Sequence, residues 1–162
     1  IEPINVWAGS DEPIGRLMSN LAHTPIVIDG LEFASVEAFI SWLVTDPTKV
    51  EKRERIRGYW GRRSKTCAPK HWPVKISYRD CEFEVRSHEF YKLIKKAIRI
   101  KLETHPEITN EFLKSRPRPI VHVISGEPKS PSFVSMISEL RDEFSKGTID
   151  GISDCTLARF EP

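Results

Sequence analysis

The residues of this chain best suited to chemistry fall in two stretches. In the first, the small polar pair Ser19-Asn20 is followed by Ile26-Val27-Ile28-Asp29-Gly30-Leu31-Glu32-Phe33 and then by Ala34-Ser35-Val36-Glu37. Ser35 is placed to cap a helix, and Glu37 sits in its first turn, where the macrodipole favours a carboxylate. A first-turn acid is also ordinary helix chemistry, and these residues alone do not separate the two roles. In the second stretch, Gly58-Tyr59-Trp60-Gly61-Arg62-Arg63-Ser64-Lys65 holds two glycines, two aromatics and three cations within eight residues. Arginine offers forked donors to phosphate oxygens and glycine lets the backbone approach, so the segment suits an anion beside a stacking surface. Trp72 follows; an indole stacks on a flat base as readily as it fills a core.

Several elements must position these groups. Asp29-Gly30 between apolar runs is a two-residue hairpin turn. The helix from Val36 to Val44 is apolar on most sides through Phe39, Ile40, Trp42 and Leu43, so its start and Glu37 should lie inside the domain. Upstream, Ile4–Trp7 reads as a strand and Gly9–Gly15 as a loop. Asp46-Pro47 should cap and open another helix. Its charged continuation, Lys49 to Arg57, reads as a solvated surface helix with pairs such as Glu51 and Arg55. Val74–Val85 alternates about Arg79-Asp80 as a β-hairpin. Ser87 should cap a long helix to Thr104, with Phe90, Ile94, Ala97, Ile98 and Leu102 inward and Lys92, Lys95, Lys96, Arg99 and Lys101 on a solvated, snorkelling face. Pro106 starts a short helix. Ile120–Ile124 is a strand whose His122 points away from its apolar neighbours and is expected to be structural. Ser130-Pro131 opens a last helix that Gly147 stops.

Composition narrows the classes. The 162 residues, 39% hydrophobic and 30% charged, suit one globular domain able to bury a core without staples. A net charge of +2 is too small for a dedicated nucleic-acid binder, although cations gather between Lys49 and Lys75. Cys67, Cys81 and Cys155 form no CxxC pair, and the five histidines show no ligand spacing, so neither a metal nor a redox motif is expected. No apolar run reaches membrane-helix length and the opening Ile1-Glu2-Pro3-Ile4 is unlike a leader; a cytoplasmic protein with reduced thiols is the expectation. P-loop, Rossmann, HExxH and GxSxG patterns are absent.

The ordered set Ser19, Asn20, Asp29, Gly30, Phe33, Ser35 and Glu37 resembles the opening of the NADAR family, also called YbiA-like. Gly61-Arg62 and Trp72 match a Gly-Arg pair and later Trp of that family, and Ala97 to Ile108 is similar to one of its helix endings. The resemblance spans roughly Ser19 to Leu140. It implies an α+β, YbiA-like single domain, residues 1–147, with helices around short strands, residues 74–85 as an inserted hairpin and residues 148–162 as a C-terminal tail. It also implies hydrolysis of the N-glycosidic bond of an ADP-ribosyl or related nucleotide substrate, without a cofactor. In that reading Glu37 is the catalytic acid that stabilises positive charge on the sugar and orients or deprotonates water. Asn20 meets the ribose, Trp72 stacks on the base, Arg62, with Arg16 as a lesser candidate, binds phosphate, and Ser19 and Gly61 complete the substrate-binding set. The partner is a small nucleotide or an ADP-ribosylated substrate, which a nucleic acid can carry; no membrane is involved. One departure stands out. Where the family has a Trp-Gly-Asp-Gly-like loop, this chain has Ser125-Gly126-Glu127-Pro128-Lys129-Ser130-Pro131, and only Glu127 loosely replaces the Asp. A non-catalytic ADP-ribose or nucleotide-binding module is therefore the alternative.

Overall fold

A computed structural model describes residues 1–147. The short β1 (Ile4–Asn5) and α1 (Pro13–Met18) lead into the hairpin β2 (Ile26–Ile28) and β3 (Leu31–Phe33), then α2 (Val36–Val44), α3 (Val50–Ile56) and α4 (Arg62–Thr66). A second hairpin, β4 (Lys75–Tyr78) and β5 (Cys81–Glu84), precedes the long α5 (His88–Thr104) and α6 (Pro106–Lys114). Three two-residue strands follow, β6 (Ile120–Val121), β7 (Val123–Ile124) and β8 (Glu127–Pro128), and α7 (Pro131–Ser145) ends the described part. Among the described residues the result is α+β: seven helices around two-stranded sheets, with β1 parallel to β6 and the other three pairs antiparallel. None of the described helices is long and apolar enough to cross a membrane. The tail expected at 148–162, with Cys155, lies outside the described residues.

Local chemistry sets most boundaries. Asp29 and Gly30 both adopt positive φ, 50° and 82°, which closes the β2–β3 turn. Ser35 caps α2 by accepting from the Ala38 N–H at 3.0 Å, and Ser87 caps α5 by accepting from the Phe90 N–H. Pro106 and Pro131 occupy the first turns of α6 and α7, and Gly147 stands beyond α7 at φ 66°. Phe33, Phe39, Trp42 and Tyr78 pack edge to face or stacked with centroids 5.2–6.4 Å apart, joining α2 to both hairpins.

Several expectations are corrected. Residues 13–15, expected as the end of a loop, open α1 instead. The helix expected from Asp46-Pro47 starts only at Val50, because the Asp46 carboxylate accepts from the Thr48 N–H and hydroxyl and holds 46–48 as a turn. On α3 the ion pair is Arg57 with Glu54 rather than Arg55 with Glu51, and Arg53 lies 3.7 Å over the Trp42 ring. The largest correction concerns α5. It packs against β2, β5, α2, α6 and α7, so of the five cations expected on a solvated face Lys92 alone is exposed, Lys95 is half-buried, and the other three are covered. Lys96 and Lys101 are each 1% exposed and Arg99 7%. Lys96 lies 3.5 Å from Asp29, Arg99 bonds Glu143 at 2.7 Å, and Lys101 donates to the Ser19 carbonyl at 3.0 Å.

The β4–β5 hairpin is docked on the rest of the domain. Ile76 is buried, the Tyr78 hydroxyl donates to Asp29, and Arg79 reaches the other Asp29 oxygen at 2.5 Å. The strand expected over 120–124 is split at His122. Residues 120–121 pair with β1 and residues 123–124 turn to β8, while the Asn5 side-chain amide both donates to and accepts from Val123 at 2.8 Å.

Candidate functional site

A cavity of about 420 Å³ opens between the Ser19–Leu21 segment, the start of α2, the start of α5 and the α7 entry. Three consecutive carbonyls hold its Ser19–Leu21 wall. Ser19 accepts from Lys101 of α5 at 3.0 Å as well as from the Ala22 N–H of its own turn at 3.1 Å, Asn20 from the Glu37 N–H at 2.8 Å and Leu21 from the Gly61 N–H at 2.6 Å. The Glu37 amide is a first-turn donor with no helical acceptor, so its bond to Asn20 both caps α2 and sets Asn20 beside Glu37.

Ser19, Asn20, Glu37 and Trp72 all line this cavity. Glu37 is half-buried and lines the cavity. Burial pushes its carboxyl up from the usual 4.5 to about 7, against the opposing pull of Lys65. Asn20 brings a buried amide oxygen that accepts no hydrogen bond from the described residues. Buried acceptors are normally satisfied, so this oxygen is ready for a donor arriving in the cavity. The Trp72 ring meets the edge of Phe90, and the Arg86 guanidinium lies 4.7 Å over it. That indole face is therefore taken by a cation, and a flat ligand reaching it meets the guanidinium plane first.

Arg16, Gly61 and Arg62 are not among the residues lining the cavity. Arg16 donates to the Ser10 and Asp11 carbonyls at 2.7 and 3.1 Å and ties down its own loop. Gly61, at φ 66°, supports the wall through its N–H to Leu21. Arg62 is exposed at the start of α4. The cations that do line the cavity are Lys65 and Arg86. Lys65 arrives because Ser41 donates to the Ser64 carbonyl at 2.5 Å and Ser64 donates to the Gly61 carbonyl at 2.6 Å, seating α4 on α2. Arg86 arrives because the docked hairpin ends there, at φ 67°. Lys65 belongs to the stretch already read as an anion site; Arg86 carries no such mark.

His122 also lines the cavity, packed edge-on against Phe133. Its Nδ1 lies 2.5 Å from the Val6 carbonyl, which can only accept, so Nδ1 carries a proton and donates it there. Its alternation away from Ile120–Ile124's apolar residues was the available signal. From the 125–131 loop, Ser130 and Pro131 reach the cavity, whereas Glu127 is exposed and is not a lining residue. Among the described residues no cluster of three or more His, Cys, Asp or Glu side chains could hold a metal ion.

The architecture defined by these elements is the YbiA-like α+β fold. Among solved structures, the chain is similar to the NMR structure of the E. coli protein YbiA, with a TM-score of 0.66, 20% sequence identity, and coverage of 92% of this chain and 88% of that one. At that identity the likeness shows the fold. No family model and no curated protein sequence matches the chain.

Proposed function

We propose that this protein is an N-glycosidase that hydrolyses the bond between a ribose carbon and a base nitrogen in an ADP-ribosyl or related nucleotide substrate. The observation that carries the reading is the Glu37 carboxyl, held by burial at about 7 in a cavity that also presents the unpartnered Asn20 amide oxygen. A group that titrates near neutrality is suited to accept a proton from water at the pH of a cell. Cleavage of a C1′–N bond builds positive charge on the ribose, which the ionised Glu37 stabilises while it orients the attacking water. Asn20 Oδ1 accepts from a ribose hydroxyl. Lys65 and Arg86 take the phosphate role, since they line the cavity and Arg62 does not. The apolar wall of Ile40, Phe90, Ile94 and Phe133 holds the base and excludes bulk water.

One observation favours the non-catalytic reading: the loop leading to α7 supplies Ser130 and Pro131 to the cavity and no acid. Incubation with an ADP-ribosylated guanine nucleotide and with ribosylated pyrimidine nucleotides separates the two. Release of free base that disappears in Glu37→Gln supports hydrolysis. Tight ADP-ribose binding without turnover supports a nucleotide-binding module.

A further inference from the structure

Two of the buried cations on α5 have carboxylate partners, Lys96 with Asp29 and Arg99 with Glu143. Lys101 is different. It is among the most buried side chains of the described residues, no carboxylate there lies within ion-pair distance of it, and its ammonium donates to a backbone carbonyl, that of Ser19. A methionine would fill the same space without desolvating a charge, so packing alone does not account for a lysine here. The contact also has a place in a pattern. Ser19, Asn20 and Leu21 all face the cavity, and their three carbonyls are held in turn by Lys101, the Glu37 N–H and the Gly61 N–H. Lys101 supplies the only side-chain bond of the three; burial lowers its pKa to about 7, and in its ionised form the bond is charge-assisted, the strongest kind available to a carbonyl.

We propose that Lys101 is a positioning residue for the cavity: its ammonium fixes the Ser19 carbonyl and thereby the register in which Asn20 meets Glu37. Lys101 does not line the cavity and touches no ligand; it acts through the segment it holds. The inference rests on the reading of this cavity as a nucleotide site only for its effect on binding. Its effect on the wall is independent of any ligand.

Lys101→Met tests both effects. The variant is expected to unfold at a temperature equal to or above that of the parent, since a buried charge is removed. Amide hydrogen exchange should nevertheless accelerate at least tenfold at Glu37 and Gly61, with the α5 and α7 core amides unchanged, and ADP-ribose affinity should fall at least tenfold. Unchanged exchange at Glu37 and Gly61 overturns the proposal. So does a uniform acceleration across the core with a lowered midpoint, which marks a merely structural lysine. Should the variant fail to fold, the unaltered protein decides: a scalar coupling between the Lys101 side-chain nitrogen and the Ser19 carbonyl carbon is expected, and its absence overturns the contact. If the exchange result holds while the unaltered protein binds no ADP-ribose, the nucleotide reading fails and the positioning role stands.

Discussion

Replacing Glu37 with glutamine isolates the cost of ionising a buried acid. The carboxyl titrates at about 7 in the folded chain against an ordinary value of 4.5. Between these values the folded protein keeps a proton that the unfolded chain has released, so Glu37 lowers stability progressively as pH rises from 4.5 through 7. Above that window both states are ionised and the cost is constant; below it both are protonated and the cost vanishes. At 1.36 kcal/mol per pKa unit the full cost is ~3 kcal/mol, and opening of the carboxyl to the cavity reduces it to about 2 kcal/mol. Glutamine mimics the protonated acid at every pH. Glu37→Gln should therefore match the parent near pH 4.5 and exceed it by ~2 kcal/mol at pH 8, a gain of roughly 5 °C in midpoint for a domain of this size. Urea unfolding followed by tryptophan fluorescence at a series of pH values from 5 to 8 measures the difference. A stability difference that does not change with pH, or one that shrinks as pH rises, refutes the buried-acid argument.

Lys65→Met should raise the Glu37 pKa further, because Lys65 is the cation that opposes its shift, and should weaken AMP binding about tenfold; a carbon-13 NMR titration of the Glu37 carboxyl and calorimetry check both. Arg62→Gln should leave AMP affinity within about twofold, since the side chain does not line the cavity. Ser35→Ala removes the acceptor of the Ala38 N–H and the donor to the Tyr59 carbonyl, and should cost ~2 kcal/mol in a denaturation experiment. A Cβ at Gly15 would collide with the Asn5 carbonyl oxygen and the Ser10 hydroxyl, so Gly15→Ala should destabilise by about 1–3 kcal/mol.

The features legible in the sequence are those decided by neighbours along the chain. Asp29-Gly30, the Ser35 and Ser87 caps, and the prolines opening α6 and α7 act over a few residues, and each acts as its type suggests. The apolar breadth of residues 36–44 likewise marks α2 as buried, and with it the sheltered place of Glu37. Asp46-Pro47 misleads because an Asp that caps helices also closes turns, and the Thr48 N–H and hydroxyl engage it in a turn. The cations of α5 are illegible for a different reason. Whether Lys96, Arg99 and Lys101 meet water depends on Asp29, Glu143 and Ser19, which lie far away in sequence. The same holds for the cavity's cations. Gly61-Arg62 draws attention as a local motif, but the seating of α4 through Ser41 and Ser64 turns Lys65 to the cavity, and a docked hairpin delivers Arg86.

Base release from an ADP-ribosylated guanine nucleotide, followed by chromatography with the parent chain and Glu37→Gln side by side, tests the central reading most directly. The account expects free base from the parent, none above background from a Glu37→Gln protein that still binds ADP-ribose, and a rate in the parent that rises with pH through about 7 as Glu37 ionises. Equal release by the two proteins, or a parent chain that neither releases base nor binds ADP-ribose, contradicts it.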